Sequence, residues 1–422
     1  MQLIIEEKIS EKISWPLRCH THLHARGEMI RIDSLHISLN RFLLLIVGLW
    51  PYQRSKLVQL QLTLLFSVLA TFILGQFATF LTSPCTPDLL INVLASASFY
   101  IAFAINYSSF SINVEVIKCL LEQLQHTYNE LTDENEINII KQYAIYAKRY
   151  TIVFTVLVIF NEIVLILYPI WSRVFYTLLS INETRARISP LLVTEYFVDK
   201  RYFYLIFFHT NAAFFIGSIA VLATGTTFIV YLQHACGMFR ITCYRIARIM
   251  TLETLRENSL QNEYLIYKRL ICAVDMHRKA MKFSNSTISR FKIMFALLII
   301  TGVMCESLNG FLIFQMTSFE FDIEELSLRL IFMMYLLTYM FVGNYYAQEI
   351  MDHNNNVFVT VYNVQWYVAP LQIQNMILFL LQRGTKAFTM NIAGLFVGSL
   401  EGAATLLNTA LSFFTVLHAV RN

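Results

Sequence analysis

Charge is scarce in this chain. Asp, Glu, Lys and Arg together make up 14% of its 422 residues, where soluble domains carry roughly a quarter. With 56% hydrophobic residues and a mean hydropathy of +0.54, a soluble globular domain is excluded. Dense basic runs are missing too, and a net charge of +4 gives no footprint for nucleic acid. The seven cysteines, at 19, 85, 119, 236, 243, 272 and 305, lack metal-ligand pair spacing. Cys19, His20, His22 and His24 come nearest to a metal tract. Nothing nearby completes a site, so the stretch reads as a polar cytosolic tail. HExxH, GxSxG, P-loop and paired-carboxylate arrangements are all lacking, so no catalytic residue, metal or cofactor is assigned. Residues 1–40 mix charge with apolar residues and form no signal peptide. Met29 is an alternative start of translation.

Long apolar stretches, by contrast, are plentiful. A bilayer core takes about 20 apolar residues in a helix. No Asp, Glu, Lys or Arg lies between Lys56 and Asp88, or between Asp88 and Glu115. Further windows run at 150–172, 203–233, 293–317, 327–349 and 388–420. These seven spans predict an all-α integral membrane protein. "FLLLIVGLW" at 42–50 is too short to cross and ends at Pro51, which predicts a helix lying along the interface.

Lys and Arg set the orientation, because they accumulate on the cytosolic side. With the N-terminus inside, the inner segments hold eight before residue 57, four at 113–149, eleven at 233–292 and two at 351–387. That is 25 of 32. The N-terminus is therefore cytosolic and the C-terminus extracellular. A G-protein-coupled receptor has the opposite topology. Its other marks are missing as well: there is no cysteine in the outer loop at 173–201, no DRY and no NPxxY. A membrane transporter should show a repeat with broken helices, and none is visible. Of three glycosylation sequons, only Asn182 falls outside; Asn106 is within a span and Asn285 is cytosolic.

The inner segments are themselves patterned. Residues 234–290 continue the helical periodicity of the flanking spans, and a short helix is predicted from Pro370 to a break at Gly384. Apolar faces projecting into the cytosol need a partner surface, within the chain or, as favoured here, in a bundle shared between subunits. The resulting division is an N-terminal cytosolic segment with the interfacial helix (1–56), spans one to six (57–349), a cytosolic anchor helix region (350–387) and a seventh span (388–422).

Three carboxylates lie in or beside apolar windows. Glu162 and Glu306 read equally as locally satisfied groups or as functional ones. Glu401 lies 20 residues before Arg421, about 30 Å of helix, and so sits at the inner membrane face. Thr405, Asn408, Ser412, Thr415 and Ala419 follow it on one side of the helix. Such a stripe suits either helix packing or a water-filled path with a carboxylate ring at its mouth.

The chain resembles the insect odorant receptors along nearly its whole length. The resemblance is carried by "LNRFLLLIVGLWPYQ" (39–53), "LLEQLQHTYNEL" (120–131), "YNVQWYVAPLQIQNMILFLLQRGTKAFTMNIAGLF" (362–396) and "SFFTVLHAVR" (412–421). It is closest to the hymenopteran branch. The resemblance implies a subunit of a tetrameric, ligand-gated, non-selective cation channel. In that family the cytosolic halves of helices four to seven form an anchor between subunits, and the seventh helix lines the pore. Alignment with the co-receptor's end implies an apolar gate at Val416 and Val420, with Glu401 as the acidic residue at the inner end and Asn408 and Ser412 along the path. Where the co-receptor is apolar, this chain has His418, which packs side-on or makes conduction pH-sensitive. The Gln-Phe finish of gustatory receptors is absent, and the connection at 233–292 is shorter than the co-receptor's. A tuning subunit is implied, partnered by the co-receptor in the plasma membrane of olfactory neuron dendrites.

Family ligands bind in the outer half, between helices two, three, four and six. The corresponding residues are Phe99, Tyr100 and Phe103; Phe160 and Val164; Phe207, Phe208 and Asn211; and Met334, Tyr335, Thr338 and Tyr339. Together they describe an apolar pocket with few hydrogen-bonding groups, suited to small volatile or hydrocarbon ligands.

Overall fold

The computed structural model describes residues 36–178, 203–249, 260–319, 323–394 and 396–421. Asn182 and the Cys19–His24 tract lie outside them. Eleven α-helices are described: α1 (Ser38–Ile46), α2 (Lys56–Thr82), α3 (Pro87–Ile112), α4 (Val114–Glu130), α5 (Glu134–Leu178), α6 (Phe203–Ile249), α7 (Leu260–Arg290), α8 (Lys292–Phe319), α9 (Ile323–Asn363), α10 (Leu371–Gly384) and α11 (Leu400–Arg421). Seven of them, α2, α3, α5, α6, α8, α9 and α11, are long and apolar enough to cross a membrane.

Local chemistry sets the helix starts. The Ser55 and Thr86 side chains accept from the backbone N–H groups of Val58 and Leu89, capping α2 and α3. Pro87 follows at the first turn of α3, where its missing N–H costs nothing. Short α1 does more than float at the interface. Its buried Leu43 and Leu44, with Val47, Leu49 and Trp50 beyond it, pack against α5 and α6.

The bundle is organised around α6. Its most apolar stretch is 78% buried, against 11% for α2 and for α11. It touches α1, α2, α3, α4, α5, α7 and α9. Of the inner segments read as helical, α6 runs on to Ile249, α7 covers Leu260–Arg290 and α9 continues to Asn363; α5 also begins well before the predicted span, at Glu134. The short helix after Pro370 is α10, ending at Gly384.

The seventh helix begins later than predicted. Residues before Leu400 form a two-stranded hairpin, β1 (Asn391–Ile392) with β2 (Phe396–Val397). Its turn passes through Ala393 and Gly394, both with φ near the left-handed region. The Asn391 side chain accepts from the Gly394 N–H at 2.8 Å. This turn chemistry stops the helix from extending back to 388. Ser399 then caps α11 by accepting from the Gly402 N–H at 2.9 Å.

Where α5, α6 and α7 meet, Arg245 of α6 donates to both carboxylate oxygens of Glu136 on α5, at 2.6 and 2.7 Å, and to the Cys272 carbonyl of α7 at 3.1 Å. Three helices are thereby joined through one guanidinium. Glu136 is buried, so removing its partner leaves an uncompensated charge. Arg245→Ala should destabilise the fold by about 3–5 kcal/mol, seen as a lower Tm of the purified protein; an unchanged Tm would refute the pair's structural role.

Close by, His277 of α7 bonds Asn354 of α9 at 2.8 Å, both side chains buried. Burial holds the imidazole below the ordinary histidine range, and nearby Arg383 adds to this, against the Asn354 hydrogen bond. With the folded value depressed, the contribution is full above about pH 6.5 and is lost as pH falls below it. Between pH 7.5 and 5.5, His277→Gln should therefore lose less stability than wild type; equal losses would contradict this assignment.

Candidate ligand pocket and pore-facing helix

Aromatic rings from four spans, α2, α3, α6 and α9, meet within the bundle. On α3, Phe99, Tyr100 and Phe103 are all buried. Phe99 stacks on Phe214 of α6 at 6.0 Å between centroids and meets Phe332 and Tyr335 of α9 edge-on at 4.8 and 5.9 Å. Phe103 contacts Phe214 and Tyr335 at 5.9 and 6.3 Å. Phe72 of α2 closes on Tyr100 at 4.2 Å. Edge-to-face contacts of this kind add about 0.5–1.5 kcal/mol each beyond area burial.

Polar pins surround the rings. Glu162 of α5 is buried and accepts a hydrogen bond from Ser218 of α6. One turn beyond Tyr335, the Tyr339 hydroxyl accepts from Asn106 at 3.2 Å, and Thr224 donates to the Asn106 oxygen at 2.6 Å. Asn106 is thus held inside the bundle between α6 and α9. His209 of α6 bonds Thr71 of α2 at 3.1 Å.

The sequence-predicted residues divide. Phe99, Tyr100, Phe103 and Tyr335 come together, with Tyr339 directly below. Val164, Phe207 and Asn211 are half-buried, and the Asn211 amide donates to the Phe207 carbonyl of its own helix. Phe160, Phe208, Met334 and Thr338 instead face out of the single subunit. Helical phase explains this. Phe160 lies two residues from buried Glu162, and Met334 two residues from buried Phe332, which places each on the opposite side of its helix. Thr338 donates to the Met334 carbonyl. Phe72, Phe214, Phe332 and Ser218 were missed by sequence reasoning. Two of them were within reach of a phase argument, since Phe332 precedes Tyr335 by three residues and Phe214 follows Asn211 by three.

On α11 the buried residues are Gly402, which lies against β2, and Leu406 and Ala410, which face α8 and α9. Glu401, Asn408, Ser412, Val416 and Val420 are all exposed on the single subunit. Thr405, Thr409 and Ser412 donate to the carbonyls four residues back, so their hydroxyl protons are used within the helix. The helix is held at three points. Asn344 of α9 accepts from the Ser399 N–H at 3.1 Å. Ser307 of α8 donates to the Ala410 carbonyl at 3.0 Å. At the outer end Arg421 pairs with Asp88 of α3 and donates to Gln315 of α8 at 3.0 Å. His418 packs its ring on Phe314 at 4.9 Å.

Cavities of about 200 and 300 Å³ lie apart from the aromatic cluster, one lined by Arg383, Lys386 and Asn354, the other by Leu45, Gly48, Trp50 and Gln61 beside α1. The aromatic cluster is close-packed around Gly217, where an added Cβ would sit 1.9 Å from the Phe103 ring. Gly217→Ala should displace that ring, at about 1–3 kcal/mol. A lower Tm is expected; wild-type stability would show that the cluster yields freely.

Comparison with known proteins gives two findings. The sequence profile of the 7tm odorant receptor family matches residues 86–411. The fold is similar to the insect olfactory receptor OR5 from Machilis hrabei in complex with eugenol, with a TM-score of 0.72 at 18% identity, covering 92% of this chain and 100% of that one. A second OR5 structure from the same insect gives 0.67 at 16% identity, covering 91% and 99%.

Proposed function

The chain belongs to the 7tm odorant receptor family, and on that premise we propose that it is the odorant-binding, tuning subunit of a heterotetrameric cation channel. The family is one of membrane receptors rather than enzymes. In the proposed assembly the partner is the odorant receptor co-receptor, and the site of action is the plasma membrane of olfactory neuron dendrites. The OR5 structure with eugenol is an instance of the same fold with a small lipophilic molecule bound.

The observation that carries the reading is a mechanical one. The aromatic cluster and the start of α11 share a single helix, α9. Tyr335 and Tyr339 sit in or below the cluster, and five residues after Tyr339 the Asn344 side chain holds the Ser399 N–H. A molecule wedged among Phe99, Phe103, Phe214 and Tyr335 displaces α9, and α9 carries the cap of α11 with it. Only a ligand that binds the displaced arrangement better shifts the equilibrium. Cations would then pass an apolar constriction at Val416 and Val420, the oxygen-lined stripe at Ser412 and Asn408, and the Glu401 carboxylates.

Whole-cell recording tests this. Inward current to apolar volatiles is expected only when the chain is expressed with the co-receptor, and Val416→Ala should alter block or rectification. Current that depends on intracellular G-protein signalling would overturn the reading, as would silence to every ligand with both subunits at the surface.

A further inference from the structure

The four buried residues of α2 form one stripe, Leu69, Phe72, Gln76 and Thr79. Its inner half is apolar and its outer half is polar. Gln76 is 1% exposed and Thr79 is fully buried. Neither the amide nitrogen nor the amide oxygen of Gln76 makes a hydrogen bond, and neither does the Thr79 hydroxyl. Buried side-chain polar groups are nearly always paired, and every unpaired one carries its full desolvation penalty. Three such atoms on successive inward positions of one helix need a common explanation.

Their surroundings point to one. Gln76 lies one turn outward from Phe72, whose ring meets Tyr100 at 4.2 Å and His209 edge-on at 5.6 Å. Thr71 and His209 fix α2 to α6 at the same level. The polar pair therefore caps the aromatic cluster on its outer side, about 9 Å below the end of α2 for Gln76 at 1.5 Å per residue. An amide and a hydroxyl each offer a donor and an acceptor. Together they fit an oxygen function that accepts from the amide N–H and exchanges a hydrogen bond with the hydroxyl.

Resting on the proposed odorant-binding role, we infer that Gln76 and Thr79 are a head-group subsite, and that the ligands are small apolar molecules bearing one hydroxyl or carbonyl oxygen rather than plain hydrocarbons. The oxygen pairs with Gln76 and Thr79; the hydrocarbon portion lies along Phe72 and Tyr100 toward the rings of α6 and α9. A site built to hydrogen-bond discriminates strongly against an analogue lacking the group, because its own polar atoms then stay unpaired.

The test uses octane, octanol and octanone as a matched set on the co-expressed channel. Wild type should respond to octanol or octanone at concentrations at least about tenfold lower than to octane, about 1.4 kcal/mol of discrimination. Gln76→Leu and the nearly isosteric Thr79→Val should collapse that ratio at unchanged surface level. An unchanged ratio in both variants would overturn the inference, leaving water as the partner of these groups, while the channel reading stands. If no ligand gives current, the channel reading fails, and thermal shift of the purified chain decides the subsite. Octanol stabilising wild type but not Gln76→Leu upholds it; no octanol shift in wild type sinks it.

Discussion

Inside a bilayer every polar group must find its partner within the protein, and the burial of α6 is the sharpest case of that constraint. This helix is enclosed by seven others, yet it carries Thr210, Ser218, Thr224, Thr226, Thr227 and Thr242 among its buried residues. Each hydroxyl reaches the carbonyl four residues back on its own helix. Self-satisfaction of this kind lets a hydroxyl-rich helix serve as a central post without demanding polar neighbours. Small side chains also bring the neighbouring helices close. Two of these hydroxyls reach outward as well, Ser218 to Glu162 and Thr224 to Asn106. Those two contacts, extended by the Asn106–Tyr339 hydrogen bond, fix the heights of α5, α3 and α9 against the post, and so set where the aromatic rings meet.

The same constraint explains what could be read from the sequence. Span number and the inner helical extensions were legible because apolar length and Lys/Arg placement report directly on the bilayer. The α10 helix was legible because Pro370 and Gly384 punctuate it. The β-hairpin before α11 was not. Its residues are as apolar as a helix start, and only positive φ at Ala393 and Gly394 distinguishes it. Within the site, identity was legible but phase was not. Aromatic enrichment pointed to α3, α6 and α9, whose rings meet, but not to Phe72 of α2, while Phe160, Phe208 and Met334 were assigned inward without knowing each helix's rotation. Glu162 stood out as a charge among apolar residues, but its partner Ser218, 56 residues away, leaves no local signal.

Helix α11 has the opposite problem from α6. It is among the least buried of the spans, and its polar stripe faces away from the subunit. A single chain secures it through Asn344, Ser307 and the Arg421–Asp88 pair, contacts concentrated on one face and at the two ends. Lipid is a poor solvent for the exposed Asn408 and for Glu401 in the first turn of the helix. In the proposed assembly that face is covered by the equivalent helices of three other subunits, and the path between them is wet. The low burial of α11 is then what permits gating. A helix locked into its own bundle as firmly as α6 could not shift when α9 moves, whereas one held by its cap, one mid-helix hydrogen bond and its outer ion pair has more freedom to do so. In the proposed channel, binding and conduction would thereby be divided between a firmly packed post and a lightly buried strut, joined by α9.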